Sequence, residues 1–146
     1  NTQNGVSEIW VAKAKKKLKK KSITAKPALT GFVGSLTVIA FRNAKSAGVA
    51  GAAGAPSGKP SIYLPAVSAA SWVFAVGNDW DGAVARKPVS GQLLQQQWLA
   101  NPPGDTFWVQ SLKAPTTKAG LVTITSDLPT ANRWNLAAIE IKAVNG

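Results

Sequence analysis

Short runs of alternating apolar and polar residues, separated by turn-forming residues, are the feature that most limits how this chain can fold. β-branched and aromatic residues dominate the runs, and they suit strands better than helices. Turn signals such as Asn78 to Gly82 and Pro102-Pro103-Gly104 separate them. We predict strands in the ranges 6–15, 22–26, 35–42, 61–64, 71–77, 92–100, 105–112, 120–126 and 134–144. About eight or nine short strands at this spacing predict an all-β fold, an antiparallel β-sandwich of jelly-roll or Ig-like type.

Three segments allow other interpretations. Residues 12–21 contain good helix formers, but their apolar residues form no stripe, so a lysine-covered strand end or hairpin fits better. Residues 92–98 fit a helical turn as well as a strand. Residues 44–60 are rich in glycine and alanine, which predicts a long surface loop that serves function or pairs with a neighbour. The length fits one domain, residues 1–146.

The composition excludes several classes of chemistry. The chain contains no Cys, His or Met, so thiolate nucleophiles, imidazole bases, disulfides and zinc sites built from nitrogen and sulfur ligands are impossible. It has neither a nucleophile elbow nor a phosphate-binding loop, and we predict no enzymatic activity, no catalytic residue and no cofactor. No apolar run approaches the roughly 20 residues of a membrane span. The only acidic residues are Glu8, Asp79, Asp81, Asp105, Asp127 and Glu140.

A lysine run is the strongest charge feature. Seventeen Lys and Arg against six acids give a net charge of +11, which favours polyanions as partners. One interpretation of the run is a positive ridge that binds phosphate, sulfate or uronate groups; the other is a solvated hairpin whose charges keep an edge strand from aggregating. Too few aromatic residues lie nearby for sequence-specific binding of nucleic acid. The lysine run consists of Lys13, Lys15, Lys16, Lys17, Lys19, Lys20 and Lys21.

The turn at residues 78–82 contains candidate ligand-binding residues. Most of the six tryptophans lie within strand patterns, where burial in the core is the ordinary outcome. Trp80 lies in the turn instead, where it is either an exposed ligand contact or a plug that closes the end of the sandwich. Asn78, Asp79 and Asp81 resemble the start of an oxygen-ligand cluster for Ca²⁺, although Asp and Asn are also ordinary turn formers.

Several motifs together resemble a known module. They are EIWVA (8–12), LTVIAF (36–41), AGAAGAPSG (50–58), VGNDWDGAVAR (76–86), GDTFWVQ (104–110) and RWNLAAIEI (133–141). In order and spacing they are similar to an uncharacterised β-sandwich module of large secreted bacterial proteins, often found beside immunoglobulin-like repeats. The resemblance implies an extracellular or cell-surface location and a jelly-roll or Ig-like sandwich. It transfers no catalytic residues, and the lysine run is a departure from the family.

The resemblance also implies a function in assembly. Members of that module run one or two strands further upstream, so this chain is expected to begin inside the fold and to leave a strand position vacant. A free sheet edge pairs readily with another chain. We therefore expect a structural or assembly module whose partner is another copy of itself or an adjacent segment of its precursor. The alternative is a module that binds carbohydrate or an anionic polysaccharide through the lysine run and an exposed Trp.

Overall fold

Eight antiparallel strands form two sheets in the computed structural model, which describes residues 5–144. The large sheet has five strands in the order β1-β8-β3-β6-β5, and the small sheet has three in the order β2-β7-β4. No helix of the described residues is long and apolar enough to cross a membrane. The strands are β1 (Ala44–Ala55), β2 (Ser61–Val67), β3 (Trp72–Asp79), β4 (Lys87–Pro88), β5 (Gln92–Ala100), β6 (Asp105–Leu112), β7 (Gly120–Leu128) and β8 (Trp134–Ala143).

The two sheets pack face to face around one apolar core, as the sequence predicts for a β-sandwich. The small sheet contributes Ile62, Leu64 and Ile124, and the large sheet contributes Trp108 and Leu136, all at most 2% exposed. Burying one side chain of this size stabilises the folded state by roughly 1.5–3 kcal/mol. Because both sheets supply alternate residues to this core, the other residues of each strand face away from it.

The strand predictions after residue 60 are confirmed. Each predicted range from 61–64 to 134–144 coincides with one of β2, β3, β5, β6, β7 and β8. Residues 92–98, for which a helical turn was the alternative, belong to β5. The two-residue strand β4 lies at Lys87–Pro88 beside a predicted turn, because its backbone pairs with β7.

The prediction of a surface loop at residues 44–60 is wrong for most of its length. Residues Ala44–Ala55 form β1, an edge strand paired with β8. Glycine and alanine have low intrinsic strand propensity, but packing and pairing override propensity. Small residues are also needed here: a Cβ at Gly48 would lie 2.0 Å from Oε2 of the buried Glu140.

The predicted strands at 6–15, 22–26 and 35–42 are absent. Residues 5–43, hereafter the N-terminal segment, contain no strand, and almost all of their side chains are exposed. The lysine-covered hairpin predicted at 12–21 is likewise an irregular stretch. The alternating residues are of the right type, but a strand also needs a hydrogen-bonded neighbour. The N-terminal segment pairs with neither sheet, so its backbone stays outside both ladders.

Candidate interaction surface

The outer face of the large sheet is apolar, although it points away from the core. Trp72, Phe74 and Val76 alternate with the core residues of β3, and Ile139 of β8 pairs directly with Phe74. Trp98 of β5, 42% exposed, stacks on Phe107 of β6 with ring centroids 5.5 Å apart. Antiparallel sheets that cover one side of a core usually present polar residues to water on the other.

The small sheet follows that usual pattern. Its outward residues include Ser61, Tyr63, Thr123 and Thr125, which pair with one another across β2 and β7. The apolar outward face is therefore confined to the large sheet within the described chain. An outward apolar face of this kind is typical of an interaction site.

The N-terminal segment touches this face at two separate places. Phe41 packs edge-on against Phe74, with ring centroids 5.2 Å apart. At the opposite end of β3 and β8, Asn135 donates a hydrogen bond to the Gly5 carbonyl at 2.8 Å and accepts one from the Ser7 hydroxyl. Between these contacts the segment is exposed throughout residues 10–40, so it is held against the sheet only loosely.

The lysine run lies in this exposed stretch. All seven lysines are exposed, and none of them forms an ion pair with a described acidic side chain. Asp79, Asp105 and Glu140 are at most 3% exposed, so only half of the six acids remain near the surface to balance the basic residues. The surface is therefore more positive than the composition alone indicates.

The three candidate calcium ligands do not converge. Asn78 and Asp79 are consecutive strand residues whose side chains point to opposite faces of the large sheet. The Asp79 carboxylate accepts hydrogen bonds from the backbone N–H groups of Asp81 (2.7 Å) and Gly82 (3.3 Å). The Asp81 carboxylate accepts one from the Arg133 N–H at 2.9 Å. No group of three acidic side chains capable of holding a metal occurs among residues 5–144. The arrangement is a hydrogen-bonded turn.

Asp79 also forms a buried ion pair with Arg86. Both side chains are completely buried, and the guanidinium group lies over the Trp108 ring. Burial lowers the pKa of Arg86, and the charge and hydrogen bond of Asp79 oppose that shift. Burial, together with the charge of Asp79, raises the pKa of Asp105. This end of the sandwich is thus an electrostatic network that the spacing of the residues did not indicate.

A second buried carboxylate, Glu140, ties β8 to β1 and to the loop between β2 and β3. It accepts hydrogen bonds from the Ser71 hydroxyl and Ser68 N–H, both at 2.7 Å, and from the Val49 N–H at 3.0 Å. Burial acts to raise the pKa of Glu140, but these three donors outweigh it and the pKa is lowered. The role of Glu140 in this structure is to hold elements together, because its lone pairs are taken up by backbone and hydroxyl groups.

The tryptophans divide between core and surface. Only Trp108 and Trp134 of the six are buried in the core, so the prediction that tryptophans in strand patterns are buried is wrong for the exposed Trp10 and Trp98. Trp80 is 37% exposed in its turn, and its ring lies 6.5 Å from Phe32 of the N-terminal segment. The aromatic outer face was indicated in the sequence by apolar residues at every position of 72–76, a pattern typical of strands that are covered on both sides.

Comparison with known proteins adds no relative to this description. No family model, no curated protein and no solved structure matches the chain. The resemblance to a secreted bacterial module therefore remains a prediction from the sequence motifs, and function has to be argued from the surface itself.

Proposed function

We propose that this chain is an extracellular structural or assembly module, in which the N-terminal segment of one copy covers the large sheet of another. The proposal rests on two elements of the structure that each lack a partner. The large sheet presents an apolar outer face, and residues 35–42 form a strand-like apolar stretch that lacks a partner in either sheet.

The exposed linker supports exchange between copies. Residues 10–31 are exposed and irregular, so they can connect the two contact sites on one sheet or reach a neighbouring one. Swapping an identical element between copies needs no new interface chemistry, because the same contacts form in either arrangement. Phe41 lies only three residues before β1, so its contact with Phe74 stays within one copy, and the contact that distinguishes the two arrangements is that of Ser7 with Asn135.

Cross-linking between introduced cysteines tests the proposal directly, because the chain has no cysteine of its own. Two single variants, Ser7→Cys and Ala52→Cys, at residues that line one groove, are mixed in denaturant, refolded together and treated with a short bismaleimide. We expect a cross-linked dimer of the two variants. The matched control pairs Ser7→Cys with Tyr63→Cys, which places the second thiol on the outer face of the small sheet, and it should give no dimer.

Two outcomes would contradict assembly. One is a mixture that stays uncross-linked while the double variant, Ser7→Cys with Ala52→Cys, cross-links only within one chain. The other is a mass that stays at 15.2 kDa in light scattering at every concentration reached.

A second function, binding of an anionic polymer, is favoured by the exposure of the lysine run and the burial of half the acids. Multiple unpaired ammonium groups attract sulfate, phosphate or uronate groups, and such binding weakens steeply with salt. We expect the protein to bind a heparin column and to elute at a moderate salt concentration.

Two variants with the same net charge distinguish binding at the lysine run from attraction by the net charge of the whole chain. Replacing Lys16, Lys17, Lys19 and Lys20 by Gln should lower the affinity for dextran sulfate by about 10-fold or more. The control replaces four lysines that lie outside the run, with the same change in net charge: Lys45, Lys87, Lys113 and Lys118. Equal losses for the two variants would mean that the lysine run is not a binding site.

A further inference from the structure

Two asparagines lie side by side on the otherwise apolar outer face of the large sheet. Asn78 of β3 and Asn135 of β8 are direct partners in the ladder, and they are only 2% and 8% exposed. Buried amide groups need hydrogen-bond partners, and within the sheet the Asn78 amide reaches only the Asp79 carbonyl, at 3.5 Å. The remaining partners of the two asparagines come from whatever covers the face.

Asn135 is satisfied by the N-terminal segment. Its Nδ2 donates to the Gly5 carbonyl at 2.8 Å, and its Oδ1 accepts from the Ser7 hydroxyl. Gly5, Ser7 and Ile9 are half-buried while Val6 and Glu8 are exposed, an alternation typical of an extended chain lying on a surface. One side-chain amide thus holds two residues of an extended segment.

The Asn78 side chain restricts the residue that can lie over it, and its Oδ1 accepts no hydrogen bond from the described part of the chain. A Cβ at position 5 would overlap the Asn78 amide, so any residue other than glycine there requires the Asn78 side chain to move. Asn78 Oδ1 lies against Gly5 and is buried without a hydrogen-bond donor among residues 5–144. Beside the pair, an open groove of about 300 Å³ extends along β1 and is lined by Ser7, Ala52 and Gly54.

We infer that Asn78 and Asn135 form a peptide clamp for an extended Gly-x-Ser segment, and that its occupant in the assembled protein is residues 5–9 of a second copy. Gly-x-Ser occurs in this chain only at residues 5–7. The choice of a second copy rests on the proposed assembly function, whereas the recognition of glycine and serine by the two asparagines does not.

A peptide titration tests the clamp independently of assembly. The full chain carrying Gly5→Val has its own segment weakened, and it is titrated into a fluorescent peptide of residues 5–12 while anisotropy is recorded. We expect saturable binding. The same peptide with Gly5→Val should bind at least about 10-fold more weakly, because its side chain meets Asn78.

Chain variants locate the site. Adding Asn135→Ala, or separately Asn78→Ala, to the Gly5→Val chain should weaken peptide binding by about 10-fold. Adding Tyr63→Ala on the small sheet should leave binding unchanged. Thermal unfolding of each variant confirms that it is folded, and having two asparagine variants keeps the test decisive if one of them is unstable.

The outcomes for the clamp and for assembly are distinct. The clamp is overturned if the chain binds neither peptide, if it binds both peptides equally, or if both asparagine variants bind as well as their parent. Peptide binding by the clamp together with a strictly monomeric natural chain would overturn the second-copy assignment and the proposed assembly function, while leaving the clamp intact.

Discussion

The guanidinium carbon of Arg86 lies 4.3 Å from the centre of the Trp108 ring, and the same guanidinium is ion-paired with Asp79. All three side chains are buried. Removing one partner of a buried pair leaves the other charge without compensation, which usually costs about 3–5 kcal/mol. The loop that connects β3 to β4 is therefore fixed to the sandwich by electrostatics as well as by packing.

Arg86→Ala is expected to lower the free energy of unfolding by about 3–5 kcal/mol, measured by urea denaturation, because Asp79 is left as an unpaired buried charge. The double variant Asp79→Asn with Arg86→Met should lose less, since it buries no charge and retains the Asn oxygen for the N–H groups of Asp81 and Gly82. A double variant no more stable than Arg86→Ala would contradict this account.

Glu140→Gln should destabilise the protein at neutral pH by about 1–3 kcal/mol, because the amide nitrogen replaces an oxygen that accepts from a buried donor. Asp127→Asn is the control. Its partner Lys59 is exposed, so we expect a loss below about 1 kcal/mol.

The stabilising effect of Glu140 should depend on pH. Its folded pKa lies below the ordinary glutamate value of about 4.3, so its contribution is present above that value and is lost as pH falls through the lowered pKa. Thermal unfolding from pH 7 down to pH 2 should therefore show the gap between the natural chain and Glu140→Gln narrowing only at the acid end. A gap that widens with acid would refute the assignment.

Ionisation of Asp105 is expected to lower the stability of the fold, which is the opposite of the effect of Glu140. Its folded pKa is raised, so the folded state holds a proton that the unfolded state has already released, and stability falls as pH rises from about 3.9 through the raised value. Asp105→Asn should therefore be more stable than the natural chain at pH 7, and its advantage should disappear as pH approaches the ordinary aspartate range. A lower Tm for Asp105→Asn at pH 7 would show that the charged form is favourable.

Trypsin should cut the N-terminal segment first. Lys13 to Lys26 lie in exposed chain outside both sheets, whereas Lys142 lies within strand β8. Unpaired backbone enters a protease site without unfolding the domain. Mass spectrometry of early digests should show fragments that begin between residues 14 and 22, with β1 to β8 intact. Resistance of this region to trypsin would indicate that it forms strands in solution.

The strands after residue 60 could be predicted from the sequence because each one carries its own alternation and is bounded by its own turn residues. Pro102-Pro103-Gly104 is an example: it separates β5 from β6 in the structure as it does in the pattern. The exposure of the lysine run also follows from local chemistry, since burying seven ammonium groups without partners is prohibitively costly.

Which segments pair with each other as strands could not be predicted from the local sequence. Residues 35–42 have the better strand composition, yet Ala44–Ala55 form the strand, because β8 offers a ladder and the buried Glu140 leaves room only for glycine at position 48. Asn78 and Asp79 do not come together for a related reason: neighbouring residues on a strand point to opposite faces.

The sequence by itself determined the fold class, the excluded chemistries and the excess positive charge, because these depend on side-chain type and local periodicity. Only the tertiary structure decided which face of the large sheet lacks a polar surface, and which carboxylates are buried. It also placed Asn78 beside Asn135, although the two lie far apart in the chain. Such relationships are set by strand order and register, which depend on contacts between distant segments.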